Sequence, residues 1–373
     1  RRTAALFAGS IELLRNLGVW DACAPHCAPL TAIRLVDDTG GLLKSPEVTF
    51  HAHEAGLEAF GYNVPNDALL DALSQRAASC QNLTLHPTAG VRAVEVAPDH
   101  VSLTLAEDVR LTASLAVAAD GRKSVTRDAA GISIRTWTYP QSALVTWFSH
   151  SRSHGGISTE FHRPPGPFTT VPMPGRASSL VWVEVPEEAR RLSALSDAGL
   201  RQEIETRLQG LLGSVGEIGP RAVFPLSGLT PDVAARNRVA LVGESGHVIP
   251  PIGALGLNLG LRDAATLAEC ASDAVRKGTD PGSPAILATY SSLRAPDVSS
   301  RITTVDLLNR TLISPYLPVQ LLRGAGLHIL HSFGPLRRRL VSEGVQPSGP
   351  VPFLMQPAAL QSHGAAKRLN SPA

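Results

Sequence analysis

The chain has 373 residues, 43% of them hydrophobic, with 34 Lys and Arg against 32 Asp and Glu for a formal net charge of +2. This length builds one large domain or two closely joined ones around a sizeable core, and the near balance of charge, without basic runs interleaved with aromatics, argues against a nucleic-acid partner. Four cysteines (Cys23, Cys27, Cys80 and Cys270) are too few for a disulfide framework and fit a reducing compartment, and no run approaches the roughly 20 apolar residues of a membrane span.

In chain order, residues 4–17 read as a helix, with Leu6, Leu13, Leu14 and Leu17 largely on one face and Gly18 as a C-terminal stop. Cys23 and Cys27 are spaced like metal ligands, but no second ligand pair follows, so no metal is expected. Strands are expected at 33–36 and up to Phe60, then a helix opening at Pro65-Asn66-Asp67. Short strands follow at 83–85, 91–96, 101–105 and 111–117, joined by polar hairpin turns. Between 136 and 230 apolar and polar positions alternate, as in 142–148, 168–172 and 180–185, which suits an antiparallel sheet with one covered face. A helix at 197–212 interrupts that sheet, and further helices are expected at 261–276 and 284–312. Residues 312–341 continue as proline-broken amphipathic helix, and the Pro, Ala, Ser and Gly-rich remainder, 342–373, reads as a flexible tail.

Two segments carry the chemistry. In the first, a short apolar strand (239–242) ends at Gly243 with the carboxylate of Glu244 next to it. A loop with His247, Pro250, Pro251, Gly253 and Gly256 then runs into a helix from about Asn258. The carboxylate can accept from cofactor hydroxyls, the glycines let backbone approach a flat ring, and the helix N-terminus stabilises negative charge on it. In the second, the strand 117–119 ends at Asp120-Gly121, with Ser124 and Arg127 spaced to open a helix. Serine can cap that helix, arginine can hold a phosphate, and Asp120 can hold a bridging water or hydroxyl.

Gly243, His247, Pro251, Gly253, Gly256, Leu257 and Asn258 resemble the second flavin-contacting motif of the FAD-dependent aromatic hydroxylases, the fold group of p-hydroxybenzoate hydroxylase. The chain departs from that motif at Glu244, where Asp is usual, and at Leu255, where Gln is frequent. Ala119, Asp120, Gly121, Ser124 and Arg127 resemble the Asp-Gly motif of the same family, which lies near the FAD pyrophosphate. The resemblance implies an α/β fold: a Rossmann-like FAD-binding domain with an inserted antiparallel-sheet substrate domain and C-terminal helices. The expected division is 1–135 and 231–311 for the FAD-binding halves, 136–230 for the substrate sheet, 312–341 for C-terminal helices and 342–373 for the tail.

The Gly-x-Gly-x-x-Gly fingerprint of a dinucleotide-binding βαβ unit does not occur. Because Arg1-Arg2-Thr3-Ala4-Ala5-Leu6 resembles a family segment that follows that unit, a preceding piece of roughly 30–40 residues is expected to be missing. Arg2 then matches an arginine that reaches FAD in the family. Without that unit the chain is expected to hold FAD poorly.

Residues spread over 2–350, among them 13–20, 60–66, 137–143, Glu160-Phe161 and 224–226, resemble the ubiquinone-biosynthesis branch of the family, of UbiH, UbiF and VisC type. The implied reaction is hydroxylation of a phenolic ring, a polyprenylphenol, through a flavin C4a-hydroperoxide formed from O2 after NAD(P)H reduces FAD. The resemblance gives Glu244 the ribityl hydroxyls and Gly256, Leu257 and Asn258 the edge of the isoalloxazine. Pro251 shapes the oxygen-reactive face, Asp120, Gly121 and Arg127 take the pyrophosphate side, and Tyr139-Pro140-Gln141 either lies close to the flavin or is a structural strand end. His247 is either a general base or, the favoured reading, part of the loop's structure. A prenylated substrate implies access from a membrane surface, with a cytoplasmic enzyme lying peripherally on the inner face or joined to a biosynthetic complex. The apolar stripe of 312–340, opposite Arg323 and Arg337–Arg339, serves either that purpose or packing on its own domain. The rival readings are a soluble-aromatic hydroxylase, a geranylgeranyl-type reductase on the same fold, and a non-catalytic subunit.

Overall fold

In the computed structural model, which describes residues 2–39, 46–313 and 349–358, the chain opens on a strand where the leucine spacing predicts a helix. Thr3–Phe7 pairs antiparallel with Gly61–Pro65, and the helix begins only at Ala8, running to Asn16. Tertiary pairing overrides local periodicity here, and Gly61 permits it: a Cβ there would stand 1.9 Å from the Leu6 carbonyl oxygen. Leu6 is fully buried on that strand, beside Ile11 and Leu14 of the helix.

A sheet of eight strands dominates the molecule. The long strand Ile134–His150 pairs with Ala177–Glu184, Val215–Ile218 and Ala222–Pro231. From Ala177–Glu184 the sheet continues through Phe168–Met173 and Ile157–His162. It ends on Ala32–Asp37, which lies parallel to Ile157–His162, and on Val48–His51. The sheet therefore takes strands from both sides of residue 135. One face packs Leu144, Phe148, Phe161, Phe168, Leu180 and Trp182 against helices Pro186–Ala194 and Asp197–Leu208. Because side chains alternate along a strand, the odd-numbered partners Val145, Thr169, Ser179 and Val181 fall on the opposite face. They line a cavity there.

Among the described residues the remaining sheets have three strands each. Ala116–Ala118 runs parallel to Val239–Leu241, which also pairs with Ala235–Arg236. Val91–Val96, Val101–Leu105 and Arg110–Ala113 form a separate antiparallel meander. The expected strand at 83–85 does not form: Leu83 and Leu85 are exposed, and no neighbouring strand offers them a partner. Helices Leu255–Arg276 and Pro284–Ile313 pack together, the first starting three residues before the expected Asn258.

Part of the expected flexible tail is docked. A short turn of helix, Phe353–Met355, buries Met355 against Leu13 and Ala265, and Asn16 Nδ2 donates to the carbonyls of Leu354 and Gln356 at 2.8 and 3.0 Å. The amphipathic stretch expected over 312–341 lies, beyond Ile313, outside the described residues, as does 359–373. Among the described residues no helix is long and apolar enough to cross a membrane.

Candidate functional site

The parallel pair Ala116–Ala118 and Val239–Leu241 delivers both sequence motifs to one place. Val242 N–H donates to the Ala118 carbonyl at 3.0 Å, and Ser245 Oγ donates to the same oxygen at 2.5 Å. Gly121 and Gly243 follow their strands with φ of +80° and +65°, the left-handed turn that glycine makes without strain. These turns bring Arg122 beside Glu244. The guanidinium meets the carboxylate through Nε–Oε2 and Nη2–Oε1, both 3.2 Å, and Nη1 donates to Ser227 Oγ at 3.1 Å. Both side chains are about half exposed and line the cavity. Nothing in the Asp120-Gly121 motif read as sequence had marked Arg122.

That cavity encloses about 480 Å³. One wall is the strand Thr3–Phe7, and a second is the loop from Ile249 through Leu257, including Pro251, Gly253 and Gly256. The third is the free face of the large sheet, with Val145, Thr169, Val181 and Glu160. The helix Leu255–Arg276 opens into it without a side-chain cap and without an acidic residue in its first turn, so its N-terminal N–H groups keep their capacity to hold negative charge. A Cβ on Gly256 would meet nothing within 4 Å, which leaves the backbone approachable by a flat ring. The exposed Leu257 and Pro251 add apolar surface. A bare helix N-terminus, an approachable glycine and the Glu244 carboxylate together fit a flavin with its hydroxylated side chain.

Asn258 is buried and is not part of the cavity lining. Its Nδ2 donates to the carbonyls of Ala5 (2.8 Å) and Ala254 (2.7 Å), while Oδ1 accepts from Phe7 N–H (2.9 Å) and Ser10 Oγ (2.8 Å). Arg2 O accepts from Asn66 N–H and Ala8 N–H donates to Phe60 O, the residues that flank the strand Gly61–Pro65. By the alternation of an antiparallel ladder, the odd residues of Thr3–Phe7 point their backbone groups the other way. The Asn258 amide takes the place of a strand partner for Ala5 and Phe7, tying one cavity wall to the other.

His247 is buried beneath the loop, with Nε2 2.7 Å from Asp263 Oδ2. Asp263 also accepts from Gly243 N–H (3.0 Å) and from Arg294 Nε (2.7 Å). Arg294 continues to Asp297 at 3.0 Å, and Arg262 reaches the same carboxylate at 2.5 Å. Burial pushes the Asp263 carboxyl up, but the charges and hydrogen bonds of His247, Arg294 and Gly243 outweigh it and hold it below the usual range. Asp297 behaves likewise through Arg262 and Arg294. Gly260 lets the helix close on this turn, since a Cβ there would lie 3.1 Å from Gly243 Cα. His247 and Asp263 also line a second cavity of about 390 Å³ behind the loop, separate from the first.

The remaining expected residues are placed differently from one another. Asp120 is exposed and accepts from Thr126 N–H (3.2 Å) and Oγ1 (3.0 Å). Burial raises its carboxyl, but bonds from Ser124 and Thr126 prevail and hold it below the ordinary range. Arg127 is buried: Nη1 donates to the carbonyls of Arg122 (3.2 Å) and Ser245 (3.1 Å), bracing the two motifs, so a phosphate contact would require giving up those bonds. Arg2 is exposed just before the cavity-lining strand. Tyr139 and Gln141 turn toward the C-terminal helix, bonding Asp306 (2.7 Å) and Asn309 (2.8 Å), and burial pushes the Tyr139 phenol up to about 12. Cys23 and Cys27 are free thiols, the latter pushed to about 12 by burial, and no metal-holding cluster occurs among the described residues. Glu160, on the cavity face, belongs to the site by position; the alternation of Ser158, Glu160 and His162 with Thr159 and Phe161 was the signal for it.

Residues 1–304 match the family model described as FAD binding domain. The ubiquinone hydroxylase UbiL of Rhodospirillum rubrum is 38% identical over 353 residues, covering 94% of this chain and 81% of that protein. The 3-demethoxyubiquinol 3-hydroxylase of Escherichia coli is 30% identical over 339 residues, covering 91% and 85%. In three dimensions the p-nitrophenol 4-monooxygenase PnpA of Pseudomonas putida superposes with a TM-score of 0.75 at 17% identity, covering 94% and 89%. HpxO of Klebsiella pneumoniae, solved with FAD and uric acid, gives 0.73 at 15% identity, again covering 94% and 89%.

Proposed function

The chain belongs to the FAD binding domain family and groups within it with the hydroxylases of ubiquinone biosynthesis, and from that premise we propose that it hydroxylates a polyprenylated phenol with NAD(P)H and O2. The observation that carries this reading is the single cavity shared by the loop 249–257, the Glu244 carboxylate and the free face of the large sheet. FAD, when bound, supplies the reduction by NAD(P)H, the activation of oxygen and the transfer of a hydroxyl to the ring.

The chain's own residues do the positioning. Glu244 accepts from the ribityl hydroxyls, with Arg122 holding its carboxylate in place. The N–H groups at Gly256 and Leu257 would stabilise negative charge on a bound flavin, and Pro251 would add apolar surface beside it. Asp120, Gly121 and Arg2 lie on the pyrophosphate side, and Arg127 acts there by bracing the turn. His247 is a positioning residue: its bond to Asp263 fixes the loop. The apolar sheet face receives the aromatic ring and excludes water from it. Residues 1–135 and 231–311 form the cofactor side in this reading, with the strands of 136–230 supplying most of the substrate side. A polyprenyl tail keeps the substrate in the bilayer, so the protein works from the membrane surface, alone or in a biosynthetic complex.

The test is product analysis with a short-chain prenylphenol, NADH and FAD-loaded protein. A ring-hydroxylated product is expected. Saturation of the prenyl chain with no new ring hydroxyl would replace this reading with the reductase, and cofactor binding without turnover of any phenol would favour the non-catalytic subunit.

A further inference from the structure

The cavity contains one carboxylate that the cofactor side does not use. On the strand Ile157–His162, Phe161 joins the helix-covered core, so Ser158, Glu160 and His162 face the other way. Ser158 and Glu160 line the cavity. Across the sheet, Glu160 stands beside Thr169, which stands beside Val181, and Val181 beside Val145. This strip is apolar at one end and acidic at the other.

The charged residues among the described lining are Arg122, Glu160 and Glu244. The first and last pair with each other, and no lysine or arginine among the described residues forms an ion pair with Glu160. Its Oε1 lies 2.7 Å from His162 Nε2, and its Oε2 accepts from Thr169 Oγ1 at 3.3 Å. Each carboxylate oxygen offers about two lone-pair directions, so each keeps one free for a donor arriving from the cavity. The His162 bond fixes the carboxylate; both side chains are largely buried, at 6% and 14% exposure.

We propose that Glu160 receives the phenolic O–H of the substrate ring, so that this site selects neutral phenols and rejects rings carrying a carboxylate or an ionised oxygen beside that hydroxyl. The inference rests on the reading of this cavity as the phenol site. An acceptor-only group rewards an O–H and repels another acceptor, and a like charge placed opposite it is disfavoured. The ring therefore docks with its hydroxyl toward the sheet strip at Glu160 and its apolar body along Val181 and Val145.

The probe is para-nitrophenol bearing one ring fluorine, whose fluorine NMR shift reports ionisation independently of flavin absorbance. It is titrated with pH on FAD-loaded protein and on Glu160→Gln. In the parent protein the bound phenol is expected to stay protonated to higher pH than in solution, by about one unit or more. In Glu160→Gln, whose amide can also donate, the bound phenol should ionise at or below its free value. In competition binding, ortho-methoxyphenol should be preferred over ortho-hydroxybenzoate by about tenfold or more, and the glutamine variant should narrow that gap. Preferential binding of the phenolate by the parent protein overturns the assignment even if the variant fails to fold, and so does identical behaviour of the two proteins. If the probe does not bind saturably to either, the cavity is not a phenol site, and the underlying functional reading fails with it.

Discussion

Replacing Asn258 by alanine should loosen the cofactor cavity at one identifiable joint. The amide makes four hydrogen bonds, to Ala5, Phe7, Ser10 and Ala254. After truncation the Ser10 hydroxyl can rotate to another partner, and the Ala254 carbonyl sits at a helix start where an intrahelical donor is available. The Phe7 N–H and the Ala5 carbonyl have no such recourse, because the strand ladder directs them away from Gly61–Pro65. A buried group left unpaired costs about 1–3 kcal/mol, which gives a loss of about 2–6 kcal/mol for the two. For a chain of this size that corresponds to a fall in melting temperature of roughly 3–8 °C. The assay is thermal unfolding followed by circular dichroism, with flavin fluorescence as a second probe of cofactor release. Asn258→Asp separates the two halves: it keeps acceptors for Phe7 and Ser10 and loses the donors to Ala5 and Ala254, so its melting temperature should also fall. A variant Asn258→Ala melting within a degree of the parent would refute the view that this side chain substitutes for a strand partner.

Other perturbations follow from the same geometry. Glu244→Ala should weaken FAD binding by about ten- to a hundredfold, the scale of losing one or two charge-assisted bonds, measured by flavin fluorescence titration; unchanged affinity would remove the ribityl assignment. Gly260→Val should lower both melting temperature and FAD affinity, since its Cβ would press on the Gly243 backbone at 3.1 Å; a normal flavin titration would show that the helix can shift freely. The carboxyls of Asp263 and Asp297 are held below their ordinary range in the folded chain, so the unfolded chain binds more protons in acid. Their stabilisation should be complete above the ordinary carboxylate pKa of about 4 and should be lost as pH falls below it, toward the folded values. Asp263→Asn, which leaves Arg294 without that charge, should cost about 3–5 kcal/mol at neutral pH and flatten the acid limb of a stability–pH curve; an unaltered limb would place the titrating groups elsewhere.

What could be read from the sequence follows the range of the interactions. Residues 239–258 were legible because strand, turn, carboxylate, glycines and helix are consecutive, so a local pattern carries them. Arg122 was not, since its partner Glu244 lies 122 positions away and only the parallel pairing of two short strands brings them together. Thr3–Phe7 was misread as helix for the same reason: its leucine spacing is local, while its pairing with Gly61–Pro65 is not. The alternation in 136–230 did announce a one-sided sheet, yet it could not show that Ala32–Asp37 and Val48–His51 complete it. The docking of Phe353–Met355 was hidden in a composition that reads as tail, because one buried methionine and two backbone carbonyls held by Asn16 leave no periodic trace. Asn258 was expected at the isoalloxazine edge from a local motif, while its bonds to Ala5, Phe7 and Ser10 span about 250 positions and leave no trace in that motif.

The most direct test of the central claim is isotopic. FAD-loaded protein is given NADH, a short-chain prenylphenol and dioxygen labelled with heavy oxygen, and the product is analysed by mass spectrometry. The account requires one labelled oxygen atom in the ring of each product molecule, with NADH consumed in step. NADH oxidation that delivers no label to the ring, or a product whose new oxygen comes from water, would contradict it.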